Sequence, residues 1–94
     1  MAATEPPEST MSLIVSNALM RLSAVRSAYG KSRSAFYDDV KSGRWTSPLK
    51  IGARAVAWPK SEVEALIAAR IAGKSDAEIR ELVRKLEAER RKAA

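Results

Sequence analysis

The chain has 94 residues and a formal net charge of +6, and it contains neither cysteine nor histidine. This length predicts one small domain with a compact core and no large cleft. The composition excludes disulfides, thiolate metal sites and histidine general bases, so we predict that the chain is not an enzyme and has no cofactor. Its apolar stretches are far shorter than the roughly 20 residues of a membrane helix, and we expect a soluble protein of the bacterial cytoplasm.

The positive charge is concentrated in the middle of the chain. Residues 21–60 carry nine bases against two acids, whereas residues 1–20 have a net charge of −2 and residues 61–94 one of +1. Such a segment is either a surface for nucleic-acid phosphates or a solvated basic face without a partner. Charge alone does not separate these two interpretations.

The first part of the chain predicts a disordered N-terminal segment, called here the lead, and a short helix. Residues 1–11 are polar and contain proline, so we expect them to be disordered. Residues 12–20 are apolar enough for a strand or a turn of helix, and both stay open. Ser23 is predicted to cap a helix through Tyr29, and Gly30 supplies the open backbone of a sharp turn. The predicted core side of this helix carries Leu22, Val25 and Tyr29.

A second helix follows over residues 33–42, with Ser32 as its cap and Gly43 as its stop. Phe36 and Val40 are predicted to face the core, and the opposite face is polar. Two short helices joined by a glycine turn are more often a plain helical hairpin than a DNA-binding unit. The residues predicted to contact DNA on and after this helix are Ser32, Arg33, Ser34, Tyr37, Lys41 and Arg44.

A predicted β-hairpin after this helix favours a DNA-binding unit over a plain helical hairpin. Residues 49–51 and 55–58 alternate as short strands around the turn Gly52-Ala53-Arg54. Lys50 and Arg54 are predicted to point outward, and Arg54 at the tip is placed for the minor groove or its phosphates. The predicted inward anchors are Leu49, Ile51, Val56 and Trp58. A helix followed by such a wing predicts a winged helix-turn-helix domain over residues 12–74.

Two further helices complete the chain. Pro59 and Ser61 open a third helix that Gly73 ends, and Ser75 and Glu78 form a capping box that begins a fourth helix through about Arg91. The third helix has a predicted core stripe of Val63, Leu66, Ile67 and Ile71.

The fourth helix, within residues 75–94, is the ambiguous element. Its polar face places acids four residues before bases, as Asp76–Arg80, Glu81–Lys85 and Glu87–Arg91. Its apolar stripe must pack either on its own domain or on another subunit, and we favour the subunit because a small domain has little core left to cover. The stripe predicted to serve self-association on DNA consists of Ile79, Leu82, Val83 and Leu86.

The order of motifs resembles that of AlpA-type winged helix-turn-helix proteins, in the excisionase and MerR-like superfamily that phages and integrative elements carry. The residues that carry this resemblance, within residues 21–73, are Leu22, Ser32-Arg33-Ser34, Tyr37, Gly43, Trp45, Pro48, Lys50, Gly52, Arg54 and Trp58.

The resemblance implies a mainly α fold with a small β wing and a C-terminal helix. It also implies a nucleoid-associated protein that binds specific double-stranded DNA as an excisionase, a transcriptional regulator or both, with an integrase as a candidate partner. The alternative is a protein-interaction adaptor or antitoxin-like module whose basic surface meets an acidic protein.

The chain departs from this family's pattern at three positions. Lys31 stands where an apolar residue usually packs, which shifts that packing to Tyr29. Asp38 and Asp39 stand where basic or apolar residues are more common, and we expect Asp39 to need an arginine partner near the core.

Overall fold

The computed structural model describes residues 18–93, so the predicted lead and most of the segment 12–20 lie outside the described residues. The described part is mainly helical with a small antiparallel sheet, as predicted. Its elements in chain order are β1 (Leu19–Arg21), α1 (Leu22–Tyr29), α2 (Arg33–Lys41), β2 (Leu49–Lys50), β3 (Val56–Pro59), α3 (Lys60–Ile71) and α4 (Asp76–Ala93).

The sheet joins the beginning of the described chain to the predicted wing. The strand order is β1-β3-β2, and both neighbours pair with β3 in antiparallel register. Met20 lies opposite Trp58, and Leu49 lies opposite Ala57. The end of the segment that the sequence left undecided is therefore a strand. Its pairing places the start of α1 beside the base of the wing.

The predicted cap of the first helix is wrong by two residues. Helix α1 begins at Leu22, its cap position is Arg21, and no side chain makes a capping hydrogen bond there. Strand β1 runs directly into the helix, so the strand pairing sets where the helix begins. Gly30 ends α1 with a φ of 82°, the left-handed backbone expected of it.

The second helix begins as predicted and ends one residue earlier. The Ser32 hydroxyl accepts a hydrogen bond from the Ala35 amide at 3.3 Å, which caps α2. The helix ends at Lys41, and Gly43 follows with a φ of 80°. The chain then leaves α2 as a loop of residues 42–48, called here the linker loop, which leads into the wing.

Three aromatic residues form the centre of the core. Phe36 of α2 packs between Trp45 and Trp58, with ring centroids 5.4 Å and 5.1 Å away. The Trp58 indole donates a buried hydrogen bond to the Thr46 carbonyl oxygen at 2.9 Å. The linker loop therefore contributes to the core between α2 and the sheet.

Two residues predicted to be core anchors are exposed instead. Ile51 is 46% exposed because it lies beyond the end of β2, where the hairpin extends past the core. Ile71 is 82% exposed because it is the last residue of α3, turned about 140° around the helix from buried Leu66. Glu62 and Ala69 are buried on that helix, at spacings of four and three from Leu66.

Helix α4 begins with the predicted capping box and packs on the chain's own core. The Ser75 amide donates to Glu78 Oε1 at 2.9 Å, and the Glu78 amide donates to Ser75 Oγ at 3.2 Å. The backbone hydrogen bond from Ser75 holds the pKa of the Glu78 carboxyl below its ordinary value. Ile79 and Val83 are 1% and 4% exposed. A single chain therefore already buries the centre of the stripe, whereas Leu82 and Leu86 are half-buried and self-association through them stays a prediction.

The predicted pairs along α4 are also wrong. In the described part of the chain its two internal ion pairs have three-residue spacing, Arg84 with Glu81 and Lys92 with Glu89. Other charged groups of α4 instead contact earlier segments of the chain, as described below. The polar face of this helix thus contributes tertiary contacts in addition to its exposed charge.

Candidate nucleic-acid interface

An open cleft of about 540 Å³ lies between α1, the beginning of α2 and the wing. Of the described residues, no acidic one lines it. We call it the arginine cleft because four arginines from separate segments line it: Arg21, Arg26, Arg33 and Arg54. Guanidinium groups bind phosphate through paired donors, and four of them in one cleft give a strongly positive surface.

The beginning of α2 forms one wall of the arginine cleft. The Arg33 guanidinium lies over the Tyr37 ring, with its central carbon 5.7 Å from the ring centroid. Tyr37 is half-buried and packs edge-on against Phe36 at 5.6 Å. The sequence predicts this tyrosine as a DNA contact on the polar side of the helix, away from Phe36 and Val40. Its position is more inward, where its ring supports Arg33 against the core.

The α1 side of the cleft contributes Arg26 in a partly fixed orientation. Its Nε donates to the Lys31 carbonyl oxygen at 3.3 Å, across the turn between α1 and α2. This bond uses one of the five guanidinium N–H groups and leaves the others for a ligand. Arg21 adds a second guanidinium from the junction of β1 and α1.

The structure brings only some of the predicted contact residues together. Arg33, Tyr37 and Arg54 line the arginine cleft. The other predicted residues that are exposed to solvent but do not line it are Ser32, Ser34, Lys41 and Lys50. Ser32 uses its hydroxyl to cap α2, which makes its first role a structural one.

Arg44, another predicted contact residue, is bound by two carboxylates of its own chain. Its Nε and Nη2 donate to Asp39 Oδ1 at 3.2 Å and 3.1 Å, and its Nη1 lies 3.7 Å from Asp76 Oδ2. These contacts give Arg44 a structural role, and its contact with DNA stays a prediction. The expectation that Asp39 takes an arginine partner is confirmed by the same contacts.

Asp39 is the centre of a buried ionic cluster behind α2. It is 2% exposed and accepts hydrogen bonds from the Tyr29 hydroxyl at 2.6 Å and from Lys31 Nζ at 2.8 Å. Arg70 Nη2 of α3 lies 3.8 Å from the same carboxylate. The cluster therefore ties the inner face of α2 to the helical turn and to α3.

The protonation states of this cluster follow from its contacts. Burial acts to raise the pKa of Asp39, but hydrogen bonds from Lys31 and Tyr29, with the nearby positive charges, hold it below its ordinary value. Burial and the hydrogen bond to Asp39 raise the pKa of Tyr29. Asp39 is thus an anion and Tyr29 keeps its proton at neutral pH.

Two cleft residues, Arg21 and Arg26, were missed as candidates by the sequence analysis. The basic segment 21–60 includes both, which was the available signal. Their convergence with Arg33 and Arg54 depends on the pairing of β1 with β3, a contact between residues far apart in the chain.

Two short helices joined by a glycine turn, with a β-hairpin wing and a basic cleft between them, define a winged helix-turn-helix protein. Over residues 18–71 the chain matches the family described as Prophage CP4-57 regulatory protein (AlpA), and it belongs to that family. It is a regulatory DNA-binding protein of a phage family.

The chain is also similar to Uncharacterized protein ORF88 of Enterobacteria phage P4. The two are 36% identical over 61 residues, which cover 65% of this chain and 69% of the relative. No solved structure matches the chain. None of the helices in residues 18–93 is long and apolar enough to cross a membrane.

Proposed function

We propose that the chain binds double-stranded DNA with α2 in the major groove, and α2 is called the recognition helix from here on. Its nine residues span about 13.5 Å at 1.5 Å per residue, and a helix about 10–12 Å in diameter fits a major groove about 12 Å wide. Ser34 and Lys41 are exposed on this helix and can reach base edges and phosphates. The wing then lies along the neighbouring backbone or minor groove, with Lys50 and Arg54 exposed on it.

The arginine cleft is the observation that supports this proposal best. Its guanidinium groups come from the junction of β1 and α1, the last turn of α1, the recognition helix and the wing, so a phosphate strand that passes between helix and wing meets all of them. Arg33 is the candidate for base reading because it opens the recognition helix and rests on Tyr37. Arg21, Arg26 and Arg54 are candidates for phosphate contacts.

We propose that this binding serves regulation of transcription, excision of a mobile element by an integrase, or both. The family description and the phage P4 relative support a role in phages or integrative elements. Both roles use the same DNA-binding surface, so they are separated by assay. A promoter reporter tests regulation, and a plasmid carrying attachment sites and the neighbouring integrase tests excision.

DNA binding is tested by selection of duplexes from a random library, followed by titration of the enriched duplex and a scrambled one. We expect Arg33→Ala to weaken binding to the enriched duplex by about 1–3 kcal/mol and to relax the preference at one base pair. Arg84→Ala is the matched control, because it removes an equally charged side chain that is exposed on α4. Failure of the wild-type chain to enrich any duplex, or unchanged selectivity of a folded Arg33→Ala variant, would contradict the proposal.

A further inference from the structure

Helix α4 begins at Asp76, after the match to the AlpA family ends at residue 71. It nevertheless makes polar contacts with both ends of the linker loop, which joins the recognition helix to the wing. These contacts come from three side chains on α4: Arg80, Glu87 and Arg90.

The first contact is made at the end of the recognition helix. Arg80 Nε donates to the carbonyl oxygen of Ser42 at 3.0 Å, and Ser42 is the C-cap residue of that helix. The last carbonyl groups of a helix have no partner within the helix and carry partial negative charge. A guanidinium donor therefore both satisfies this carbonyl and fixes where the helix ends.

The second contact is made where the wing begins. Glu87 Oε2 accepts from the Ser47 amide at 2.8 Å, and Arg90 Nη2 donates to the Ser47 carbonyl oxygen at 2.7 Å. Both backbone polar groups of Ser47 are thus held by α4, two residues before β2. Arg90 is itself fixed, because its Nε and Nη2 each lie 2.7 Å from an oxygen of buried Glu62.

We infer that α4 positions the recognition helix relative to the wing, and that Arg80 and Glu87 are positioning residues for selective DNA binding. Their contacts are seven residues apart on one rigid helix, about 10.5 Å along its axis, so they set the distance between the two ends of the linker loop. Base reading needs the recognition helix and the wing in a fixed relative orientation, whereas contacts to phosphates tolerate small shifts. The inference rests on the proposed function for its DNA readout.

Two charge-opposed substitutions separate positioning from electrostatics. Arg80→Ala removes a positive charge and Glu87→Ala removes a negative one, so their direct effects on attraction to DNA have opposite signs. If α4 positions the DNA-binding elements, both variants lose selectivity in the same direction. We expect the ratio of affinities for the enriched and scrambled duplexes to decrease by a factor of about 2 to 30 in each variant.

Matched controls lie on the same helix. Arg84→Ala and Glu89→Ala make the same charge changes at exposed positions whose ion pairs are confined to α4. These controls should shift both affinities together and leave their ratio unchanged. Arg80→Lys keeps a cationic donor for the Ser42 carbonyl and should restore part of the selectivity.

Hydrogen exchange of the free chain tests the structural half of the inference without DNA. The Ile51 amide donates to the Ala55 carbonyl at 2.9 Å within the wing, so its exchange reports on order there. It should exchange faster in Glu87→Ala than in Glu89→Ala at equal global stability.

Three results would overturn the inference. Selectivity could stay unchanged in both Arg80→Ala and Glu87→Ala, or both affinities could fall only in proportion to the folded fraction. The wing amide could also exchange equally in Glu87→Ala and its control. If the wild-type chain shows no selective DNA binding, the proposed function fails, and the exchange result alone decides whether α4 holds the loop.

Discussion

Asp39→Asn is expected to be strongly destabilising, because it neutralises the centre of the buried ionic cluster. The carboxylate is 2% exposed, and its ion-pair partners Lys31, Arg44 and Arg70 have side chains that are 38%, 30% and 26% exposed. An asparagine keeps the size of the side chain but leaves these cations facing a neutral amide whose nitrogen can only donate.

The magnitude follows from this burial. Removing one partner of a buried ion pair costs about 3–5 kcal/mol, and partial access of water to the cations lowers this cost, so we expect about 2–4 kcal/mol. For a domain of this size, each kcal/mol shifts the Tm by about 4–8 °C. The expected decrease in Tm is therefore roughly 8–32 °C. Such a loss is a large fraction of the roughly 5–15 kcal/mol of a small domain.

Thermal unfolding followed by circular dichroism measures this effect. Asp38→Asn is the matched control, since it makes the same charge change at an exposed position of the same helix and should alter stability by less than about 0.5 kcal/mol. Equal Tm values for the two variants would refute a stabilising role for the cluster.

The pH dependence gives an independent check. The pKa of Asp39 lies below its ordinary value of 3.8 in the folded chain, so its contribution to stability is complete above that value and is lost as the pH falls through the folded pKa. The difference in unfolding free energy between wild type and Asp39→Asn should therefore shrink below about pH 3.8. A difference that stays constant into acid would contradict the lowered pKa.

Two further predictions concern the wing and α4. Arg54→Ala should weaken binding similarly on all duplexes and lower the salt slope of log K by about one unit, because one phosphate contact is lost. An unchanged slope in a salt titration would show that Arg54 does not contact the DNA backbone. Truncation after Lys74 should abolish cooperative thermal unfolding, since loss of the two buried apolar residues of α4 removes about 3–6 kcal/mol. A truncated chain that melts like the full chain would show that α4 is dispensable for folding.

The sequence correctly predicted the helix ends and caps that depend on neighbouring residues alone. Gly30 ends a helix, Ser32 begins one, and Ser75 with Glu78 begins another. In each case the determining contact lies within five residues along the chain, or the conformation belongs to the glycine itself. The wing hairpin was predicted for the same reason, because its two strands are joined by a short turn.

The candidate site was only partly predictable. Arg44 and Arg54 look alike in the sequence, as single bases in a basic segment. Asp39 and Asp76 draw Arg44 into the fold, whereas Arg54 stays exposed in the hairpin turn and lines the arginine cleft. The prediction that Asp39 needs an arginine was correct. Which arginine it takes depends on the path of the linker loop.

The sequence by itself determined the order of the elements from α1 onward, the helix-turn-helix with its wing, and the concentration of positive charge on them. Only the tertiary structure decided that β1 completes the arginine cleft and that α4 packs on its own chain. The physical reason is the range of the interactions. Caps, turns and helical periodicity act within a few residues, whereas strand pairing and burial join residues that are tens of positions apart.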